Sequence, residues 1–402
     1  MSTTTSSVLS QRVLNMAESA TIKMAQMARE LKAQGHDVIS LSLGEPDFDT
    51  PDHIKEAAKK ALDEGYTKYT PVPGLVELRK AIQTKFKRDN KLDFEVTQIV
   101  VSNGAKQSIA NLSLALLDEG DEVIIFAPFW VSYSEIVKLG GGVPVLISAG
   151  IEEDYKVSAQ QVADAITPRT KAVLFSSPCN PTGSVYTHEE LDAIATEIAK
   201  HEDIYIIADE IYEYINFSDR HVSIGSFPQV KDRTITVNGF SKGFAMTGWR
   251  LGYMGAPKEV ASACAKIQGQ FTSGANAFAQ KAAAYALEAD MRPTDAMREA
   301  FLKRRDMVIA GLSAIPGFKV NNPVGAFYSF PDISSFFGKS DGDLTINNSD
   351  DFCEYLLNKA YVAVVTGAAF GAPDCFRLSY AASDDTLKEA IQRIADACAK
   401  LK

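Results

Sequence analysis

The sequence predicts an α/β fold: a mostly parallel sheet covered by helices, with a second, smaller α/β domain. Two observations carry this. Short apolar runs at 98–102, 122–126, 171–177, 204–208 and 234–238 are separated by longer stretches with helical spacing, and strands alternating with helices build parallel sheets covered on both faces. Beyond about residue 295 the texture changes. A long charged helical pattern over 297–312 precedes strand-like 325–330 and 361–366 and a terminal helix from Asp384.

Taken in order, residues 1–14 read as a polar arm and 21–34 as a helix. A short apolar strand, 38–43, runs into Gly44-Glu45-Pro46-Asp47, where glycine and proline mark a sharp loop. Gly140-Gly141-Gly142 reads as a helix-to-strand turn, since it lacks the GxGxxG spacing of a dinucleotide loop. Thr187 and Glu190 have capping-box spacing, so a helix starts there and the segment between Asn180 and Asp209 is a crossover. The expected division is an arm at 1–14, a small domain from 15–48 with 296–402, and a large domain over 49–295.

The bulk numbers exclude several function classes. A chain of 402 residues, 46% hydrophobic and 23% charged, has globular composition and length for two or so packed cores. A net charge of −10 leaves no basic footprint for nucleic acid or anionic lipid, so an anionic ligand must be caught locally. No apolar stretch approaches the roughly 20 residues of a bilayer span, and the first residues lack the basic and apolar regions of a signal peptide. The five cysteines are scattered without CxxC, which argues against disulfides or zinc and for a cytoplasmic location. Five dispersed histidines without HExxH give no support to a metal site or a triad.

Candidate chemistry sits at strand ends, because ligands of open α/β sheets bind outside the carboxyl ends of the strands. The run 171–177 empties into Pro178-Cys179-Asn180-Pro181-Thr182-Gly183, a rigid loop that fixes Asn180. The run 204–208 ends on Asp209, with Tyr212 three residues on. A carboxylate there needs a partner, which a protonated ring nitrogen would supply; the alternative is a helix cap or turn. After 234–238, Lys242 stands among small and apolar residues, which favour its neutral, nucleophilic amine. Arg250 follows, able to clamp a phosphate or carboxylate with its planar fork. Behind 98–102, Asn103-Gly104-Ala105-Lys106 opens a helix whose free amides make an anion site.

Asn180, Asp209, Tyr212, Lys242 and Arg250 occur in the order and spacing of class I aminotransferases of fold type I. The strings SLGEPDFDTP, KYTPVPG, APFWVSY, NPTG, ADEIY, SKGFAMTGWRLGY and CFRLSYA extend the resemblance from near residue 10 to the C-terminus. They are most similar to bacterial aspartate aminotransferases of the branch that includes prephenate aminotransferases. The resemblance implies pyridoxal 5′-phosphate bound covalently through Lys242, which then moves the substrate proton. It implies Asp209 on the pyridine nitrogen, Asn180 and Tyr212 on the phenolic oxygen, and Trp130 stacked on the ring.

For the phosphate the resemblance implies the amides of Ala105 and Lys106, the Arg250 guanidinium, and Tyr69 from a second subunit of a homodimer. Many relatives place a serine where this chain has Gly239, which leaves open whether Ser241 takes over that contact. For the substrate it implies Arg377 on the α-carboxylate, helped by Gly44 and Asn180, with Thr21 and Lys106 near a distal carboxylate. Thr366 stands where relatives commonly have proline, a difference of loop stiffness. The expected reaction moves the amino group of aspartate or glutamate to a 2-oxo acid such as 2-oxoglutarate in two ping-pong halves. Prephenate transamination, a lyase or synthase on the same fold, and a non-enzymatic sensor are the alternatives. Lys106 with Thr21 disfavours the lyase; the negative charge and the lack of a fused DNA-binding module disfavour the sensor.

Overall fold

The computed structural model describes residues 8–218 and 220–402; the first seven residues of the expected arm lie outside the described residues. A short strand, β1 (Ile39–Ser40), precedes seven strands of one sheet: β2 (Ile99–Ser102), β3 (Glu122–Ala127), β4 (Val143–Ser148), β5 (Thr170–Ser176), β6 (Tyr205–Asp209), β7 (Thr234–Gly239) and β8 (Gly252–Gly255). Their spatial order is β2-β8-β7-β6-β5-β3-β4. β8 runs antiparallel to both its neighbours, and every other pairing in the sheet is parallel.

Alternation along the strands explains why both faces are covered. Val123, Ile125, Leu174, Ile207 and Val237 enter one core, whereas Ile124, Phe126, Val173, Phe175 and Ile206 enter another on the opposite face. The crossover helix His188–Ala199 starts where the capping box places it: Thr187 accepts from the Glu190 amide, and the Glu190 side chain returns to the Thr187 amide. The triple glycine joins the helix Ser132–Leu139 to β4, as its turn chemistry predicts.

A separate core gathers Met24, Ala28, Val38 and Leu41 with Met297, Phe301, Val308 and residues onward to Leu401. It includes the helices Ala20–Ala33, Arg292–Ser313 and Asp384–Cys398. β1 pairs in parallel with Val362–Ala363. The strand Phe376–Ser379 lies between Val365–Thr366 and Tyr328–Ser329. The same core takes in Ile211, Tyr212 and Ile215 from the turn beyond β6, so it reaches the sheet where Asp209 ends its strand.

Candidate active site

Six strands of the sheet, β2 to β7, run in one direction and deliver their C-terminal ends to one edge. There Thr21, Gly44, Ala105, Lys106, Trp130, Asn180, Asp209, Tyr212, Ser241, Lys242, Arg250 and Arg377 line one cavity of about 360 Å³, within the size range of small-ligand sites. Of the residues singled out from the sequence, Tyr69 alone is not among its lining. It stands 99% exposed.

Asp209 is buried at the end of β6. Its Oδ2 accepts from the Tyr133 hydroxyl at 2.7 Å and its Oδ1 from the Ile211 amide at 3.2 Å. Burial pushes its pKa up to about 6, against the pull of those two donors. Lys242 follows β7, and its Nζ donates to the Gly44 carbonyl. Burial lowers its pKa to about 8; Glu45 and Asp209 oppose that shift, while Arg377 and Arg250 reinforce it. Gly44 thus meets Lys242 through its carbonyl. Its place also admits no side chain, since a Cβ there would lie 2.3 Å from the Tyr328 hydroxyl.

Arg377 is 2% exposed. Its Nη1 donates to Asn180 Oδ1 at 2.9 Å and its Nη2 to the Ser42 carbonyl at 2.6 Å. The guanidinium lies over Tyr328 and Phe370 at 4.5 and 4.9 Å. Nε has no partner, and among the described residues no carboxylate pairs with this cation. Burial lowers its pKa. A buried guanidinium with neutral neighbours and an unused donor is prepared for an anionic ligand.

The anion-binding corner is built from the helix Ala105–Leu116 and Arg250. Arg250 is held in the left-handed region (φ 54°) and donates to the Thr247 carbonyl at 2.9 Å. A Cβ on Gly104 would lie 2.6 Å from Arg250 Nη2, so glycine keeps that approach open. Lys106 Nζ sits 4.7 Å over the Trp130 ring. Burial and the Arg250 charge push its pKa down.

Gly239 has a steric reason. It pairs with Gly252 across β7 and β8, and a Cβ on it would meet Gly252 Cα at 2.9 Å and the Leu251 carbonyl at 3.0 Å. A serine there would push backbone apart; Ser241 lines the cavity instead. Thr366 caps the turn Gly367–Phe370 by accepting from the Ala368 amide, so a hydroxyl stiffens the loop.

Two side chains of the site go beyond the sequence reading. Tyr133 supplies the donor to Asp209. Tyr328 closes a 2.7 Å hydroxyl pair with Tyr212.

The sequence profile of the family "Aminotransferase class I and II" matches residues 36–394. The chain belongs to that family. This aminotransferase is similar to the aspartate/prephenate aminotransferase of Cereibacter sphaeroides, with 47% identity over 396 residues, 98% of this chain and 99% of the relative. Its fold is similar to the crystal structure of the aspartate aminotransferase of Rhizobium meliloti, at TM-score 0.96 and 43% identity over 99% of this chain and 100% of the other. The aspartate aminotransferase of Thermus thermophilus with maleate aligns at TM-score 0.91 and 43% identity, covering 98% and 100% of the two chains.

The aminotransferase works with pyridoxal 5′-phosphate, and the cavity fits that group. Among the described residues no cation pairs with the buried Asp209 carboxyl, the Lys242 amine is pushed toward its neutral form, and the Arg250 guanidinium stands against Gly104 at the start of a helix, a set of groups that suits a protonated ring nitrogen, an aldehyde and a phosphate.

Proposed function

We propose that the protein transfers the amino group of aspartate, or glutamate, to a 2-oxo acid such as 2-oxoglutarate in two ping-pong halves. The observation that carries this is the cavity itself, which holds a nucleophilic lysine between a buried carboxyl and a buried, ligand-seeking guanidinium. The maleate in the Thermus structure accords with a dicarboxylic substrate. The reading assigns the ring nitrogen to Asp209, the phenolic oxygen to Asn180 and Tyr212, the ring face to Trp130, and the phosphate to the amides of Ala105 and Lys106 with Ser241 and Arg250.

Bound there, pyridoxal phosphate would supply the electron sink for amino transfer. The chain's residues do the rest. Arg377 grips the α-carboxylate with its fork, and Asn180 fixes that fork from the side. Lys106 and Thr21 face the distal carboxylate. The Lys242 amine, lowered to a pKa of about 8, takes the α-proton and returns it as general base and acid. Asp209, as the carboxylate, would hold a proton on the ring nitrogen.

The same reading divides the chain into a small domain (15–48 with 296–402) and a large one (49–295). It pairs two chains as a homodimer in which Tyr69 reaches the partner's phosphate site. A cytoplasmic location accords with the five free thiols, and no helix among the described residues is long and apolar enough to cross a membrane. The test is the absorption spectrum of the purified protein before and after aspartate is added without an acceptor. Conversion of the cofactor band to the amino form is the expected result; a band unmoved by aspartate or glutamate would overturn the substrate assignment.

A further inference from the structure

Beside the turn that carries Asp209 and Tyr212 lies a second charged cluster outside the cavity. Glu210 and Glu213, both buried, share it with Lys85, Asn90, His221 and Ser223. Lys85, wholly buried at the end of the helix Val76–Lys85, pairs with Glu213 and donates to Asn90 Oδ1. Glu210 Oε2 accepts from Ser223 Oγ at 2.6 Å and from Asn90 Nδ2 at 3.0 Å, and it meets His221 Nε2 at 2.9 Å. Asn90 Nδ2 also reaches Glu213 Oε2 at 2.8 Å. The cluster therefore ties two separate parts of the chain, the helical segment carrying Lys85 and Asn90 and the loop carrying His221 and Ser223, to two residues of the Asp209–Glu213 turn.

Charges this deep are tolerated only when they close on one another. Two carboxylates face one lysine, so a neutral His221 would leave one negative charge buried next to Asp209; an imidazolium balances the set. The other groups nearby add no unpaired charge. Asp89 is paired with Arg88 and accepts from Tyr214, and Lys85 Nζ lies over the Phe86 and Tyr214 rings at 5.4 Å. Tyr253, also packed there, is kept protonated by burial and by Glu213.

We propose that this cluster positions the Asp209–Tyr212 turn, and that His221 serves as its second cation so that Glu210 adds no net charge beside Asp209. The proposal rests on the reading of Asp209 as the ring-nitrogen partner. Burial works against a charged His221, but Glu210, supported by Glu213, outweighs burial and the repulsion of Lys85, and the net direction is up. Glu210 in turn raises the pKa of Asp209. Losing the His221 charge would therefore push Asp209 toward its neutral acid, which cannot hold a ring proton as an ion pair.

The decisive experiment is an NMR pH titration of His221 in the apoprotein, with the signal assigned by its loss in H221Q. The expected midpoint lies above the ordinary 6.5 and falls in E210Q. A midpoint at or below 6.5 that E210Q does not move would overturn the proposal without any variant having to bind cofactor. In the full enzyme, H221Q should release pyridoxal phosphate more readily, by about tenfold for each unit by which the pKa of Asp209 rises above the working pH. The double variant E210Q/H221Q restores the balance and should recover most of that affinity, which a merely structural role would not do. A double variant as weak as H221Q would overturn the charge argument. Wild-type protein that binds no pyridoxal phosphate would instead overturn the cofactor reading, whatever the His221 midpoint.

Discussion

The Tyr133 hydroxyl donates to Asp209 Oδ2 at 2.7 Å, and both side chains are buried. That bond favours the carboxylate against the burial that pushes its pKa to about 6. A hydrogen bond to a charged group is worth about 1.5–3 kcal/mol. Tyr133→Phe should therefore raise by about one to two pH units the pH below which the apoprotein loses affinity for pyridoxal phosphate, and so weaken cofactor binding at neutral pH. A binding profile left in place would remove Tyr133 from the ring-nitrogen site.

Asp209 is held at a cost that pH exposes. Its folded-state pKa lies near 6 against an ordinary 3.8, so the folded chain binds the extra proton between those values. Stability therefore falls as pH rises through that window and stays lower above it; two units correspond to about 3 kcal/mol. Asp209→Asn should stabilise the apoprotein at pH 7 by about 1–3 kcal/mol, with the gain vanishing below pH 4, while transamination is lost. Urea unfolding of both proteins across pH 3–7 checks the sign, and equal stability at pH 7 would contradict it.

How much of this was legible in the sequence depends on whether a residue's role is local. Asp209 and Lys242 stand at the ends of apolar runs, and their placement follows from the sheet alone. Tyr328 meets Tyr212 across 116 residues of chain, and no periodicity carries that. β8 escapes because two of its four residues are glycine. The reason lies elsewhere in the fold, where a Cβ on Gly252 would fall 2.2 Å from the Ala105 amide nitrogen. β4 escapes because it lies at the sheet edge and no residue of it is buried. The apolar pattern 38–43 yields only Ile39–Ser40 as strand, since its partner segment is equally short. The helix expected from 297 begins at Arg292, because a proline in the first turn costs no helical hydrogen bond.

Arg377 uses two of its nitrogens on Asn180 and Ser42 and leaves Nε free. Lysine keeps the charge but loses the fork. Arg377→Lys should raise KM for aspartate by about a hundredfold, the roughly 3 kcal/mol typical of a buried charged contact, and leave cofactor affinity nearly unchanged. Steady-state kinetics with spectroscopic cofactor titration separates the two. A matching loss of cofactor affinity would argue that Arg377 serves the cofactor instead.

Lys106 sits over Trp130 on the cavity wall that Thr21 also lines, and its charge is what a dicarboxylic substrate would meet. Lys106→Ala should lower kcat/KM for aspartate and glutamate by about tenfold, near 1.4 kcal/mol, while alanine turns over as before. The pH dependence has a definite sign. Burial and Arg250 lower the pKa of Lys106, so its charge is lost at lower pH than that of an ordinary lysine. The preference for aspartate over alanine should then decline toward alkaline pH in the wild type and stay flat in the alanine variant. A preference that declines equally in both proteins would assign the distal carboxylate to another group.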